Sequence, residues 1–284
     1  MTFNENKDKM TDRGWNRLYN RLEQDGLILE NETVEKKNFL HSVSFRIAAA
    51  IAVLCICVAA LYTIRNSDVK NATMLTLQND KGAPTLVKTL EDGSVVYLAE
   101  HTALSYPDHF RENKREVYLK GDAFFDVNRN PQKPFIIETN DVIVEVLGTS
   151  FNVKSIDEQP FSLSVKTGEV KVKYKKDKQT VNVKAGETVL LQSESFRKLQ
   201  SDSEDIFSGY NGNIHFKDET LENIVQVINM NSDSVKLNIS PELNNRTLTV
   251  TFSEDSPSTM AELIAIALNL NINREENMIT LSGK

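Results

Sequence analysis

With 284 residues, 40 % hydrophobic and 26 % charged side chains, the chain suits one to three globular domains and is too mixed for a fibrous or disordered protein. A net charge of −7 argues against nucleic acid or an anionic lipid surface as the ligand, because both need a cationic footprint. The two cysteines, Cys55 and Cys57, sit inside one apolar run, which leaves the rest of the chain without a disulfide framework or a thiolate metal site.

Residues 1–46 carry eight basic and eight acidic side chains, so the whole net charge lies after them. Within "TDRGWNRLYNRLEQDG", Trp15, Leu18, Tyr19 and Leu22 recur at helical spacing and form one stripe. The pattern predicts a helix started by Thr11 or Asp12 and ended by Gly26. Little else in the arm is apolar, and about 40 residues rarely build a core alone. A lone amphipathic helix with Trp and Tyr anchors suits a groove in a partner protein. Lying on a membrane surface and packing into a private mini-core are the alternatives.

The run "RIAAAIAVLCICVAALYTIR" follows, with 18 residues, 47–64, free of charge between Arg46 and Arg65. A helix of that length spans about 27 Å, close to the thickness of a bilayer core, so a single membrane span is expected. Lys36, Lys37 and Arg46 before it, against Arg65 and Lys70 after it, favour a short arm inside and the long remainder outside. Residues 65–73 then read as a linker.

From 74 to 195 the chain reads as short strands separated by turns. "TLEDGSVVYL" sets Asp92-Gly93 between two apolar runs, a hairpin signal. "GEVKVKYK" alternates Val170, Val172 and Tyr174 with Lys171, Lys173 and Lys175, as a strand with one wet face does. A sandwich, a barrel or a β-solenoid would each satisfy this pattern. In "VLGTSFNVKS", Gly148 and Thr149 interrupt a strand pattern, where glycine marks a bulge or a close approach of backbone. His101 and His109 read as loop residues, and no motif of hydrolytic, phosphate-binding or metal chemistry occurs. Neither a cofactor nor a metal is expected.

After a linker over 196–212, residues 213–284 contain two strand-helix units. Leu221, Ile224, Val225 and Ile228 form the first helical stripe, behind a Thr220 or Asp218 cap. Met260, Leu263, Ile264 and Ala267 form the second, behind Ser256-Pro257. Phe216 and Phe252 precede the two in like positions. The units are expected to cover one small sheet as an α+β domain.

Seven segments together resemble FecR-type transmembrane anti-sigma regulators in their Bacteroidetes form: "LEDGSVVYL", "LSYP", "LKGDAFFDV", "KPFIIET", "VLGTSFNV", "VKTGEVKV" and "VKAGE". The tail is similar to the secretin/TonB short N-terminal domain that this group appends. Glu91 and Ala99 depart from residues frequent in the family, both in turns.

The resemblance implies a relay: an extracytoplasmic-function sigma factor held on the cytoplasmic side, and the signalling domain of a TonB-dependent outer-membrane transporter received in the periplasm. Envelope proteases would destroy the anchored protein during signalling. Trp15, Leu18, Tyr19 and Leu22 are the candidate sigma-binding residues by position. The resemblance also implies self-cleavage between Gly148 and Thr149 by an N→O acyl shift. No metabolic activity is expected. A membrane-anchored periplasmic glycan-binding or envelope-structural protein is the alternative. The expected fold is a short cytoplasmic helical arm (1–46), one inner-membrane helix (47–64), a periplasmic all-β domain (74–195, sandwich or solenoid) and a small α+β domain (213–284).

Overall fold

Helix α1 (Glu5–Gln24) begins earlier than the expected cap at Thr11 or Asp12. Its first two turns, "ENKDKMTD", contain one Glu, two Lys and one Met, good helix formers that carry the helix back before Thr11. Its end is as expected: Gly26 adopts φ +66°, and Leu27 N–H reaches back to Leu22 O at 2.9 Å, a six-residue Schellman closure. The computed structural model describes residues 5–27, 47, 50–60, 73–200, 208–232 and 234–284. Residues 1–64 and 65–284 are separate units.

The expected membrane span is corrected. Among the described residues no helix is long and apolar enough to cross a membrane. Within the apolar run the continuous described helix covers 50–60, eleven residues. A span needs about 20 apolar helical residues to cross a hydrocarbon core of about 30 Å. Residues 48–49 and 61–64 of the run lie outside the described residues, as do 28–46 of the arm, 65–72 of the first expected linker and 201–207 of the second. The single-pass inner-membrane placement rested on that span. Its cytoplasmic N-terminus and periplasmic C-terminal domains are withdrawn with it, and so are those parts of the expected fold class.

The second unit is mainly β. Its first strands are β1 (Met74–Asn79), β2 (Thr85–Thr89), β3 (Val95–Leu98), β4 (Thr102–Pro107) and β5 (Arg115–Asp126). Asp92-Gly93 turns β2 into β3 as expected, with Gly93 at φ +80° and Thr89 opposite Val95. Next come β6 (Phe135–Glu138), β7 (Val142–Val146), β8 (Ser150–Ser155), β9 (Ser162–Thr167) and β10 (Glu169–Tyr174). Strands β11 (Thr180–Lys184), β12 (Glu187–Gln192) and β13 (Ser195–Gln200) complete this part, and β13 runs on into the expected linker.

Strand β5 belongs to two sheets. Its first half pairs with β4 and β6, its second half with β3 and β8. The change falls at Gly121, where φ is +119° and a Cβ would lie 2.7 Å from Thr102 Cα. Only glycine lets the strand turn that corner so close to β4. One layer then runs β1-β4-β5-β6-β7-β10-β11, the other β2-β3-β5-β8-β9-β12-β13. Their inner faces enclose the first core, in which Phe125 and Phe151 stack with ring centroids 5.6 Å apart. Of the architectures left open by sequence, this is the sandwich.

The tail comprises β14 (Asn213–Thr220), α2 (Leu221–Met230), β15 (Lys236–Ile239), β16 (Thr247–Ser253), α3 (Pro257–Leu268), β17 (Asn271–Glu275) and β18 (Met278–Ser282). Thr220 caps α2 and Ser256 caps α3, each by accepting a backbone N–H three residues on. The single small sheet is not what forms. β14 and β16 pair with each other, and β14 joins β2 in parallel, extending the sandwich, while β15, β18 and β17 make a separate three-stranded sheet. The second stripe is rotated as well. Ala261, Ile264 and Ala265 are buried, whereas Leu263 is exposed, because α3 is apolar on most faces and its pattern does not single one out.

The tail packs on the outer face of the sandwich. Along β2 and β3, Leu86, Val96 and Leu98 point into the first core, whereas Val87, Val95 and Tyr97 point into a second core with α2 and α3. Polar contacts cross the same seam. Asn231 Nδ2 donates to Tyr97 OH at 2.9 Å, and Glu219 Oε2 lies 2.9 Å from Lys88 Nζ. Tyr210 OH donates to Asp122, and Asn152 Nδ2 donates to both Asp122 Oδ1 (2.8 Å) and Tyr210 OH (2.6 Å).

Burial pushes the Tyr97 phenol up from 10.0 to about 12, and burial followed by the Asp122 charge pushes Tyr210 up as well. A raised folded-state value means that this stability is complete below pH 10 and is lost as pH rises toward the folded value. We therefore expect urea unfolding free energy to fall between pH 10 and 12, by about 1.4 kcal/mol per pH unit from Tyr97 alone. Tyr97→Phe should show a shallower decline over that range, and an unchanged slope would contradict it.

Candidate functional site

Gly148 and Thr149 lie in the short connection between β7 and β8. The segment 127–130 holds that connection on both sides. Val127 N–H donates to Thr149 O at 2.9 Å, and Asn130 N–H donates to Leu147 O at 2.7 Å. The two carbonyls bracketing Gly148 are thus both fixed by one neighbouring segment. Between these bonds the backbones nearly touch. Gly148 has φ +156°, and a Cβ there would stand 2.5 Å from Arg129 Cα. The glycine anticipated as a bulge or close approach is a close approach, with Arg129 as the neighbour.

Thr149 faces the interior at 5 % exposure. Its Cγ2 fills the space beside Gly168, where a Cβ would come within 2.6 Å of it. Its Oγ1 is buried and has no hydrogen-bond partner, one of three such side-chain atoms among the described residues. A buried hydroxyl without a partner costs about 1–3 kcal/mol. The following residue is fully engaged: Ser150 N–H donates to Thr167 Oγ1 at 3.1 Å, and Ser150 Oγ donates to Asp126 Oδ1 at 3.0 Å. The register between β8 and β9 shifts just after Ser150, so the corner also serves the fold as a bulge.

A cleft of about 300 Å³ opens beside the Gly148–Thr149 bond. Glu145, Glu169, Lys171 and Asn182 line its far side, with Lys171 Nζ 3.5 Å from Glu145 Oε2 and Asn182 Nδ2 donating to Glu169 Oε1 at 3.0 Å. Water has access to the bond from this cleft, and the polar groups around it are carboxylates and cations rather than imidazoles. His101 and His109 are in turns, as expected. His109 Nδ1 pairs with Glu91 Oε2 at 3.0 Å, and that contact raises its pKa. Among the described residues no cluster of His, Cys, Asp and Glu could hold a metal ion.

The α1 stripe belongs to the other unit. Trp15, Leu18 and Tyr19 are 63 %, 47 % and 61 % exposed, and Leu22 is half-buried. The structure brings these four onto one helix face.

Sequence reasoning missed Arg115, which is 1 % exposed and reaches three oxygens around the site's supporting segment. In sequence it is one arginine in "NKREV", with nothing to signal burial. The Lys88–Glu219 pair was missed for a different reason: 131 residues separate the partners.

The stretch 85–171, from the start of β2 into β10, matches the family described as FecR protein. The match covers about a third of the chain. The matched stretch includes Arg115, the 127–130 segment, Gly148 and Thr149, and it excludes β1, the strands after β10 and the tail. Among solved structures, the chain is similar to two of a candidate anti-sigma factor from Parabacteroides distasonis ATCC 8503. The one at 2.50 Å resolution is 24 % identical with a TM-score of 0.47, covering 75 % of this chain and 100 % of that one. The one at 1.65 Å is 25 % identical with a TM-score of 0.46, covering 74 % and 99 %. No curated protein matches.

Proposed function

We propose that this chain is an anti-sigma factor, a reading carried by its FecR match at 85–171. The sigma factor would be held on α1. Trp and Tyr side chains more than half exposed along one helix face are what a partner's apolar groove takes up. In the finer form of this reading, the sigma factor is of the extracytoplasmic-function class. The β unit receives the signalling domain of a TonB-dependent transporter, and proteases act on the chain during signalling. The family resemblance supports those three statements.

The test is a pull-down from native cell lysate with the full chain as bait, beside a Trp15→Ala, Leu18→Ala double variant. A buried aromatic anchor contributes about 2 kcal/mol or more, so the variant should retain about thirtyfold less sigma factor or worse. Equal recovery by both baits would remove α1 from the interface. No sigma factor on either bait would sink the anti-sigma reading.

The unpartnered Thr149 hydroxyl favours a second, compatible activity, cleavage of the chain after Gly148. In an N→O shift, Oγ1 attacks the Gly148 carbonyl carbon and the Gly148–Thr149 C–N bond breaks. The hydroxyl proton passes to the freed Thr149 amine, leaving an ester between Gly148 and Oγ1. Water from the cleft then opens the ester, restoring the hydroxyl and leaving a Gly148 carboxylate. Buried and without a hydrogen bond to surrender, Oγ1 is freer to attack than a solvated hydroxyl. Intact-mass analysis of chain isolated from its native cells should find fragments 1–148 and 149–284. Thr149→Ala should be uncut and Thr149→Ser still cut. A wild-type chain that stays whole in those cells rules cleavage out.

A further inference from the structure

We infer that Arg115 is a positioning residue for the Gly148–Thr149 bond, a deeper step that rests on the cleavage reading above. Arg115 opens β5 and lies among apolar side chains, its guanidinium 5.3 Å from the centre of the Phe135 ring. Its Nε donates to Lys133 O at 2.9 Å and its Nη1 to Asn128 O at 2.8 Å. Nη1 also pairs with Asp92 Oδ2 at 2.6 Å. Asp92 in turn accepts Ser94 N–H, and Asn128 is tied to the same turn through Ser94 Oγ and Asp92 O. The guanidinium therefore grips the segment 128–133 at two carbonyls and anchors it to the β2–β3 turn.

That segment is the one that fixes the scissile bond. Val127 and Asn130 hold the carbonyls of Thr149 and Leu147, and Arg129 Cα occupies the place of a Gly148 side chain. Any shift of 128–130 is passed to Gly148, because there is no room between the two backbones. The residue type fits this task better than it fits stability. Burying a guanidinium is costly, and here Nη2 is buried with no partner at all. An apolar side chain could fill the space beside Phe135, but only a rigid planar fork reaches two carbonyls and a carboxylate from one strand position. Lysine offers a single flexible point of contact.

Cleavage depends on the hydroxyl and the carbonyl carbon meeting in a narrow geometry, and displacements near 1 Å can cost about a hundredfold in rate. The experiment follows freshly translated full-length chain by gel and intact mass over time, comparing wild type, Arg115→Lys and Val117→Ala. Val117 is fully buried on the same strand and, being aliphatic, has no side-chain hydrogen bond to 128–133, so its variant controls for lost stability. We expect Arg115→Lys to cleave about ten- to a hundredfold more slowly, and Val117→Ala to cleave at the wild-type rate despite a lower unfolding midpoint. Hydroxylamine, which opens esters, should not restore Arg115→Lys, because the slowed step precedes ester formation.

If Arg115→Lys cleaves like wild type, or if Val117→Ala slows equally, the positioning role is overturned while cleavage stands. Rescue of Arg115→Lys by hydroxylamine would also overturn it, by moving the defect to ester opening. If wild type itself stays intact, the cleavage reading falls and this role with it.

Discussion

Gly148→Ala is expected to lower the unfolding midpoint of the β unit by about 6–12 °C. A Cβ at this position would meet Arg129 Cα at 2.5 Å and Arg129 Cβ at 2.6 Å. The first of these is backbone and cannot rotate away. Overpacking of this kind costs about 3 kcal/mol, and each kcal/mol moves the midpoint by about 2–4 °C in a unit of this size. Gly186→Ala is the informative comparison. Gly186 also has positive φ, at +80°, but nothing lies within 4 Å of its would-be Cβ. It should lose only the conformational contribution, about 1–2 kcal/mol. Thermal unfolding followed by circular dichroism separates the two, and equal losses would mean that the contact with Arg129 contributes nothing.

Lys88→Met is expected to cost about 3–5 kcal/mol, more than Glu219→Gln at the other end of the same pair. The asymmetry comes from burial. The Glu219 side chain is 2 % exposed and that of Lys88 is 25 % exposed. A lysine that loses its partner still reaches water, whereas a carboxylate that loses its lysine does not. Asn223 Nδ2, at 2.7 Å from Glu219 Oε1, supplies only part of the solvation the charge needs. The double variant Lys88→Met, Glu219→Gln removes the buried charge together with its partner and should recover most of the loss. Urea unfolding of the four proteins gives the cycle. A Lys88→Met loss below that of Glu219→Gln would contradict this account of the seam.

How much of this was legible depends on the range of the interaction. Alternation in β10 was readable because Val170, Val172 and Tyr174 are buried and Lys171 is exposed, a pattern contained in six residues. The β2–β3 hairpin was readable from Asp92-Gly93 for the same reason. The four residues of β3 carry no alternation, since both faces are covered, so sequence could not say which side held the core. Nor could it show that the twelve residues of β5 serve two sheets or that β14 pairs with β2, because those facts lie in partners far along the chain. Residues 47–64 misled by length. An apolar run is a necessary condition for a span and not a sufficient one, and among the described residues no helix is long and apolar enough to cross a membrane.

At the candidate site, Gly148 announced itself as a glycine where a strand former belonged, and Thr149 came with it through the resemblance. The neighbour that makes the glycine necessary, Arg129, and the fork that holds that neighbour, Arg115, were not visible. Their roles arise from backbone carbonyls, which every residue has and no sequence pattern marks.

The outward-facing side chains of β2, β3 and β5 set a schedule for synthesis. Val87, Val95, Tyr97 and Phe124 are covered by elements that begin at Asn213, more than eighty residues later than the last of them. At about 5–20 residues per second, a ribosome takes on the order of ten seconds to make that interval. During this time the emerging sandwich presents a greasy, unclad wall to the crowded surroundings of the exit tunnel. A chaperone that grips newly made chains would cover that wall until the tail is made. Truncation after Gln200 would freeze the nascent state and produce a chain that aggregates.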